Sequence, residues 1–234
     1  MEIKGAVALV TGANRGLGRQ FAAALVERGA AKVYAAARNP ESVDLPGVIP
    51  LQLDVTDPAS IRAAAAIAGD VTLLVNNAGS STGASALGGS LEDIRLEMDT
   101  HYFGTLAVTR EFAPILEGNG GGAVLNVLSV LSWFTSPQVA AYSAAKSAAW
   151  SLTNALRLEL APQKTNVTAL HVGYMDTDMA KHVDGPKVDP AFAAGLGIDA
   201  VEEGRFEVLV DDLSRTVRAG LAGDLTGLYP SLSA

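Results

Sequence analysis

Tyr142 and Lys146 stand four residues apart in a segment, Tyr142-Ser-Ala-Ala-Lys146, that reads as helix. Residues at i and i+4 share one helical face, so the phenol and the ammonium can act on the same small molecule. Free tyrosine titrates near ~10 and free lysine near ~10.4, so neither alone is a ready proton donor at neutral pH. A positive charge beside a phenol favours the phenolate, and the spacing therefore predicts a tyrosine whose pKa is lowered by Lys146. Taken alone, the pair also describes an interfacial aromatic beside a solvated lysine. The rest of the chain decides between these readings.

The elements that would position such a pair follow from the apolar pattern. Short β-branched runs at 6–10, 32–37, 48–53, 71–76, 123–127 and 166–171 are most of them apolar rather than alternating, as fits strands buried on both faces. Between them lie helical segments at 17–28, 58–68, 91–117, 139–160 and 202–222, the second opening with Asp57 as N-cap and Pro58 at its first position. Regular alternation predicts an α/β fold, a doubly wound parallel sheet of Rossmann type with helices on both faces in three layers. Ligands of such sheets bind beyond the carboxyl ends of the strands.

Composition narrows the function classes. A chain of 234 residues, 49% hydrophobic and 18% charged, suits one compact soluble domain spanning 1–234. A formal net charge of −8 disfavours a nucleic-acid partner. Without cysteine there is no disulfide, thiol catalysis or thiolate metal site. The three histidines, His101, His171 and His182, are scattered, so no metal is implied. The run 6–10 is too short for a signal-peptide core or a membrane span, which makes the cytoplasm the simplest expectation.

The first strand runs into Thr11-Gly12-Ala13-Asn14-Arg15-Gly16-Leu17-Gly18, with a helix starting inside the motif. Glycines let the backbone turn sharply and approach a pyrophosphate, with helix N–H groups aimed at the phosphates. An NAD site usually carries an acidic residue about 20 positions further on, whereas a 2′-phosphate wants arginine. Here the second strand ends in Ala37 and Arg38, and Arg15 offers a second cation from the turn. Two arginines converging on one ribose select NADPH.

With these residues the chain resembles the short-chain dehydrogenase/reductase family of classical type, over nearly its whole length, and is carbonyl reductase-like. The glycine turn matches T-G-x-x-x-G-x-G. Asp54-Val55 resembles the family's pair against adenine, and Asn76-Asn77-Ala78-Gly79 its N-N-A-G on the adenine-ribose side. Ser129 lies thirteen positions before Tyr142, the family's catalytic spacing. Gly173, Met175 and Thr177 fall in a segment like P-G-x-x-x-T, which holds the nicotinamide carboxamide, with Val172 where proline is common. The resemblance implies that Tyr142 donates a proton to a carbonyl oxygen and that Ser129 polarises that oxygen. It also implies that Lys146 tunes Tyr142 while binding the nicotinamide ribose.

One departure stands out. The family's fourth catalytic position, an asparagine in N-x-x-G, is His101 in His101-Tyr-Phe-Gly104. An imidazole has one donor and one acceptor when neutral and titrates near ~6.5, so the expectation is a retained but weakened proton relay. The resemblance also places a substrate lid around 178–200, rich in Ala, Gly, Val, Phe192 and Leu196. Trp133, Phe134, Tyr174 and Met175 would line the same mouth and suit a hydrophobic, aryl ketone or aldehyde. Family members are usually dimers or tetramers built through the two long helices, and the alanine-rich 140–149 and 104–107 allow close approach. Two other classes stay open: a catalytically impaired NADP(H)-binding sensor, favoured by His101, and a lyase or dehalogenase, disfavoured by the intact glycines and Lys146.

Overall fold

A computed structural model describes residues 1–181 and 183–232; His182 lies outside the described residues. Its centre is a seven-stranded, wholly parallel sheet in the order β3-β2-β1-β4-β5-β6-β7. The strands are β1 Val7–Thr11, β2 Lys32–Ala37, β3 Ile49–Gln52, β4 Leu73–Asn76, β5 Gly122–Val127, β6 Thr165–His171 and β7 Glu207–Leu209. The chain winds outward from β1 to β3, then reverses through β4, so the crevice between the ends of β1 and β4 is the switch point where such folds hold ligands. This is the doubly wound Rossmann-type architecture expected from the alternation.

Alternate residues of the five inner strands, β1, β2, β4, β5 and β6, feed two separate cores, which is why these strands read as largely apolar. On one face, Ala8, Val10, Leu73, Val75 and Leu125 pack under α1 (Gly16–Glu27) and α6 (Pro190–Glu203), through Phe21, Leu25, Ala194 and Ile198. On the other, Leu9, Leu74 and Val124 pack under α2 (Pro58–Ile67), α4 (Thr105–Gly118) and α5 (Ala140–Leu160), through Ile61, Phe112, Leu152 and Leu156. Phe21 and Phe112 are fully buried, each burial worth roughly 1.5–3 kcal/mol.

Two expectations are corrected. The segment 91–117 is not one helix: α3 (Leu91–Met98) is separated from α4 by a π-helical stretch, Asp99–Gly104. Gly104 lies there against Val55, where an added Cβ would come within 3.0 Å of the valine. The segment 202–222 is also broken. It holds the end of α6, the edge strand β7 and α7 (Asp212–Gly220), because Gly204 in a left-handed conformation (φ +70°) stops α6 and Asp211 caps α7. Within the segment 178–200, where the resemblance puts a substrate lid, α6 starts at Pro190, and its Ala193, Ala194, Gly197 and Ile198 are buried, on the side that meets α1. A short α8 (Leu225–Leu228) follows α7.

Candidate active site

The glycine turn is held by the residues that follow β4. A Cβ on Gly18 would sit 2.2 Å from Gly12 O and 2.4 Å from Asn77 Nδ2, so the third glycine is required by close packing of α1 on the turn. Gly12 has φ +66° with Ala78 Cα at 3.0 Å from a Cβ position. Asn77 Nδ2 donates to Thr11 O (2.9 Å), and Thr11 Oγ1 accepts from the N–H groups of Asn77 and Ala78 at 2.9 and 3.0 Å. Of the four residues Asn76-Asn77-Ala78-Gly79 that resemble N-N-A-G, Asn76 turns its side chain inward. Its Nδ2 donates to Asn126 Oδ1 (2.9 Å) and Thr109 Oγ1 (3.0 Å), and Asn126 Nδ2 continues to Thr153. Asn77, not Asn76, is the side chain that shapes the turn.

No side chain caps the start of α1, whose N-cap is Arg15. An uncapped helix N-terminus behind a glycine turn, with Asn14, Gly16 and Leu17 along it, fits the pyrophosphate of a dinucleotide. Arg38 is exposed just past the end of β2. Arg15 points across the turn to Asp178, at 3.8 Å, rather than toward Arg38, so the expected convergence of the two arginines is not seen. Asp54 Oδ1 accepts from the backbone N–H and the hydroxyl of Thr56 (2.9 and 2.7 Å), and Val55 packs on Gly104.

Ser129 follows β5 and caps a 3₁₀ turn, accepting from Leu131 N–H (3.1 Å) and donating to Val172 O (3.3 Å). Tyr142 and Lys146 rise from the first turns of α5 beside it. Lys146 is 5% exposed and donates to Val127 O at 2.8 Å; its Nζ is 5.6 Å from the centre of the Tyr142 ring. Burial pulls the ammonium down to about 8, partly offset by the charge of Glu97. Tyr142 behaves opposite to expectation. Burial first, then the Glu97 carboxylate, push the phenol above its ordinary value, and a hydrogen bond with Ser129 only partly opposes them. The expected lowering by Lys146 is not seen: the buried ammonium donates to Val127 O.

His101 sits in the π-helical stretch, 2% exposed, with its ring 5.0 Å from that of Tyr142 at an angle of 83°. Glu97, fully buried one turn earlier, had no place in the sequence reading, though an acid at i−4 to a histidine is a recognisable pair. The expected aromatic mouth is only partly formed. Trp133 stacks on His171 at 3.9 Å and 17°, with Arg218 over it, so it supports the Ser129 turn rather than lining an opening. His171 Nδ1 lies 3.1 Å from Ser129 O, and burial drives its pKa down to about 3. Tyr174 and Met179 are exposed, and Met175 is half-buried and pairs with Val188. Gly173 N–H donates to Asp211 Oδ2 at 2.6 Å, and Thr177 Cγ2 stands 3.4 Å from a Cβ position on Gly16, bringing the two ends of the cradle together.

A family model described as short chain dehydrogenase matches residues 6–187. The chain belongs to that family. Among solved structures, a short chain dehydrogenase from Burkholderia cenocepacia J2315 in complex with NADP is 41% identical, with both chains covered completely and a TM-score of 0.94. A short chain dehydrogenase/reductase from Burkholderia phymatum in complex with NAD is 27% identical over 93% of each chain, with a TM-score of 0.82. D-erythrulose reductase of Gallus gallus is 32% identical over 93% of this chain and 88% of its own. As a short-chain dehydrogenase the protein is a nicotinamide-dependent oxidoreductase. Its helices include none long and apolar enough to cross a membrane among the described residues.

Proposed function

We propose that this short-chain dehydrogenase is an NADPH-dependent reductase of hydrophobic, in particular aryl, ketones or aldehydes. The observation that carries the reading is the placement of Ser129, Tyr142 and Lys146 around one end of β5, beside the glycine turn. The reduced dinucleotide, when bound, supplies a hydride to the carbonyl carbon. Tyr142 gives its hydroxyl proton to the carbonyl oxygen, and Ser129 donates a hydrogen bond to the same oxygen as negative charge grows on it. With its pKa above the ordinary value the phenol keeps its proton at neutral pH, so Tyr142 enters the reductive step in its acid form. Lys146, which donates to Val127 O, would hold the nicotinamide ribose.

Arg38 immediately after β2, where an acidic residue would select NAD, supports NADPH. Residues 12, 14–18, 38, 54, 55, 76, 78, 79, 173, 175 and 177 lie around the proposed dinucleotide, with Asn76 present through its backbone only. The apolar side chains Phe134, Tyr174 and Met179 support a hydrophobic substrate. Action as a homo-oligomer in the cytoplasm completes the reading. Loss of NADPH and NADH absorbance should be followed with a panel of aryl ketones, and with D-erythrulose in view of the Gallus gallus relative. Turnover with NADPH is expected, reduced by about 10²–10⁴-fold in Tyr142→Phe. Preference for NADH would sink the Arg38 argument, and NADPH binding without any turnover would leave the sensor as the better reading.

A further inference from the structure

Two buried titratable groups beside Tyr142 are unaccounted for by hydride transfer itself. Glu97 is 0% exposed on α3, and each of its oxygens is engaged: Oε1 accepts from Thr82 N–H at 2.5 Å, and Oε2 accepts from Ser80 Oγ at 3.3 Å. Oε2 also lies 3.2 Å from His101 Nε2. That nitrogen faces Ser80 O at 2.9 Å as well, against a single N–H, that of Ser80, at 3.4 Å. Two oxygens outweigh one distant donor, so the imidazole proton sits on Nε2. Nδ1 is then an acceptor, buried and without a hydrogen-bond partner. A Cβ on Gly79 would come within 3.5 Å of it, and the imidazole ring that carries it lies 5.0 Å, centre to centre, from the ring of Tyr142.

A buried carboxylate that fixes one imidazole nitrogen and leaves the other as an unpartnered acceptor, on a ring packed against the proton donor, is an arrangement that suits histidine to carrying a proton. Resting on the reductase reading above, we propose that Glu97 is a positioning residue that locks the His101 proton on Nε2, so that Nδ1 returns protons to Tyr142. The balance is simple. Tyr142 loses its O–H proton to the carbonyl oxygen and becomes a phenolate; a proton taken from water onto Nδ1 then passes to the phenolate oxygen. The imidazole is cationic only in between, opposite the Glu97 carboxylate, and it ends neutral with its Nε2 proton unmoved. The groups facing it are Glu97 from α3 and Lys146 and Tyr142 from α5; burial first, then Lys146, hold the His101 pKa below its ordinary value, Glu97 and the Ser80 backbone oppose them, and Glu97 also raises Tyr142 and Lys146. A side-chain amide at position 101 could keep the Ser80 contact but has no titrating nitrogen.

The test has an arm that needs no carbonyl substrate. Nitrogen-15 spectra of histidine-labelled protein, free and with NADPH, report the ring tautomer, and His101→Asn identifies the His101 signals. A single Nε2–H tautomer is expected. In Glu97→Gln the amide keeps its oxygen on Thr82 N–H and turns its NH2 to Nε2, so the preference should be lost or reversed. With an active carbonyl, Glu97→Gln should lower kcat about tenfold with KM changed less than twofold. The alkaline limb of the kcat profile should move about one pH unit lower, because the charge that raised Tyr142 and Lys146 is gone. Glu97→Asp should recover part of both. The same tautomer in wild type and Glu97→Gln, or superimposable pH profiles for wild type, Glu97→Gln and His101→Asn, overturns the proposal. Absence of turnover with every carbonyl defeats the reductase reading while the tautomer still decides this one.

Discussion

Lys146 is both the residue the chemistry needs and a burden on the fold. Its ammonium is nearly buried with one carbonyl partner, and its pKa falls from 10.5 unfolded to about 8 folded. Below pH 8 both states hold the proton and the full cost of burial is felt. Between 8 and 10.5 the unfolded chain keeps a proton that the folded one has released, so stability rises with pH, by roughly 3 kcal/mol for a shift of this size. Lys146→Met should therefore abolish turnover yet stabilise the protein at pH 7 by about 1–2 kcal/mol, the loss of a partner for Val127 O taking back part of the gain. Thermal unfolding of both proteins at pH 7 and pH 10 checks this; the advantage should shrink at the higher pH, and a variant equally destabilised at both would refute it. At this scale Ser129, Tyr142, Lys146 and the glycine turn were legible because spacing and residue type carry them. The sign of the Tyr142 shift was not, since it depends on burial and on Glu97, which no local pattern reveals.

Elements carry the second lesson, and Asp211 is its clearest case. One carboxylate joins two elements: Oδ1 accepts from Ser214 N–H (2.7 Å) and caps α7, while Oδ2 accepts from Gly173 N–H (2.6 Å) in the turn after β6. Asp211→Ala removes a cap and leaves the Gly173 donor without its partner, a combined cost of about 1–3 kcal/mol. Urea unfolding should register that loss, and amide exchange should quicken at Gly173 and across 212–220 while α1 stays protected; Asp211→Asn should be milder. Uniform acceleration throughout the chain would contradict a local tie. None of this was visible in the sequence, where 202–222 reads as one helix because β7 is only three residues long and is specified by pairing with β6. The π-helical stretch escaped for a related reason: the apolar spacing of 91–117 continues through it, and only packing of Gly104 on Val55 and the burial of His101 define the change in winding. Strands β1, β2, β4, β5 and β6 were legible because each is buried on both faces, whereas β3, at the sheet edge, buries only Leu51 of its four residues.

For the whole molecule the question is what covers the apolar side chains that the fold leaves outside. Phe103 is 53% exposed in the π-helical stretch, Leu96 44% on α3 and Leu158 79% on α5. Exposed leucines scattered singly need no explanation, but a half-exposed phenylalanine beside Gly104 and Ala107, on elements flanking the active site, fits a helix-to-helix contact between copies. A net charge of −8 spread over 234 residues opposes non-specific sticking, so association would have to come from a matched surface. In a two-fold contact each side chain occurs twice, and a single substitution acts on the interface from both sides. Light scattering at micromolar concentration should give a mass of two or four times 24.0 kDa, and Phe103→Glu should shift the distribution to smaller species while circular dichroism stays unchanged. A wild-type monomer, or a Phe103→Glu protein that assembles as before, would place the contact elsewhere. Because Phe103 is two residues from His101, a disrupted assembly that also altered the pH profile would tie the oligomer to the geometry of the proton path.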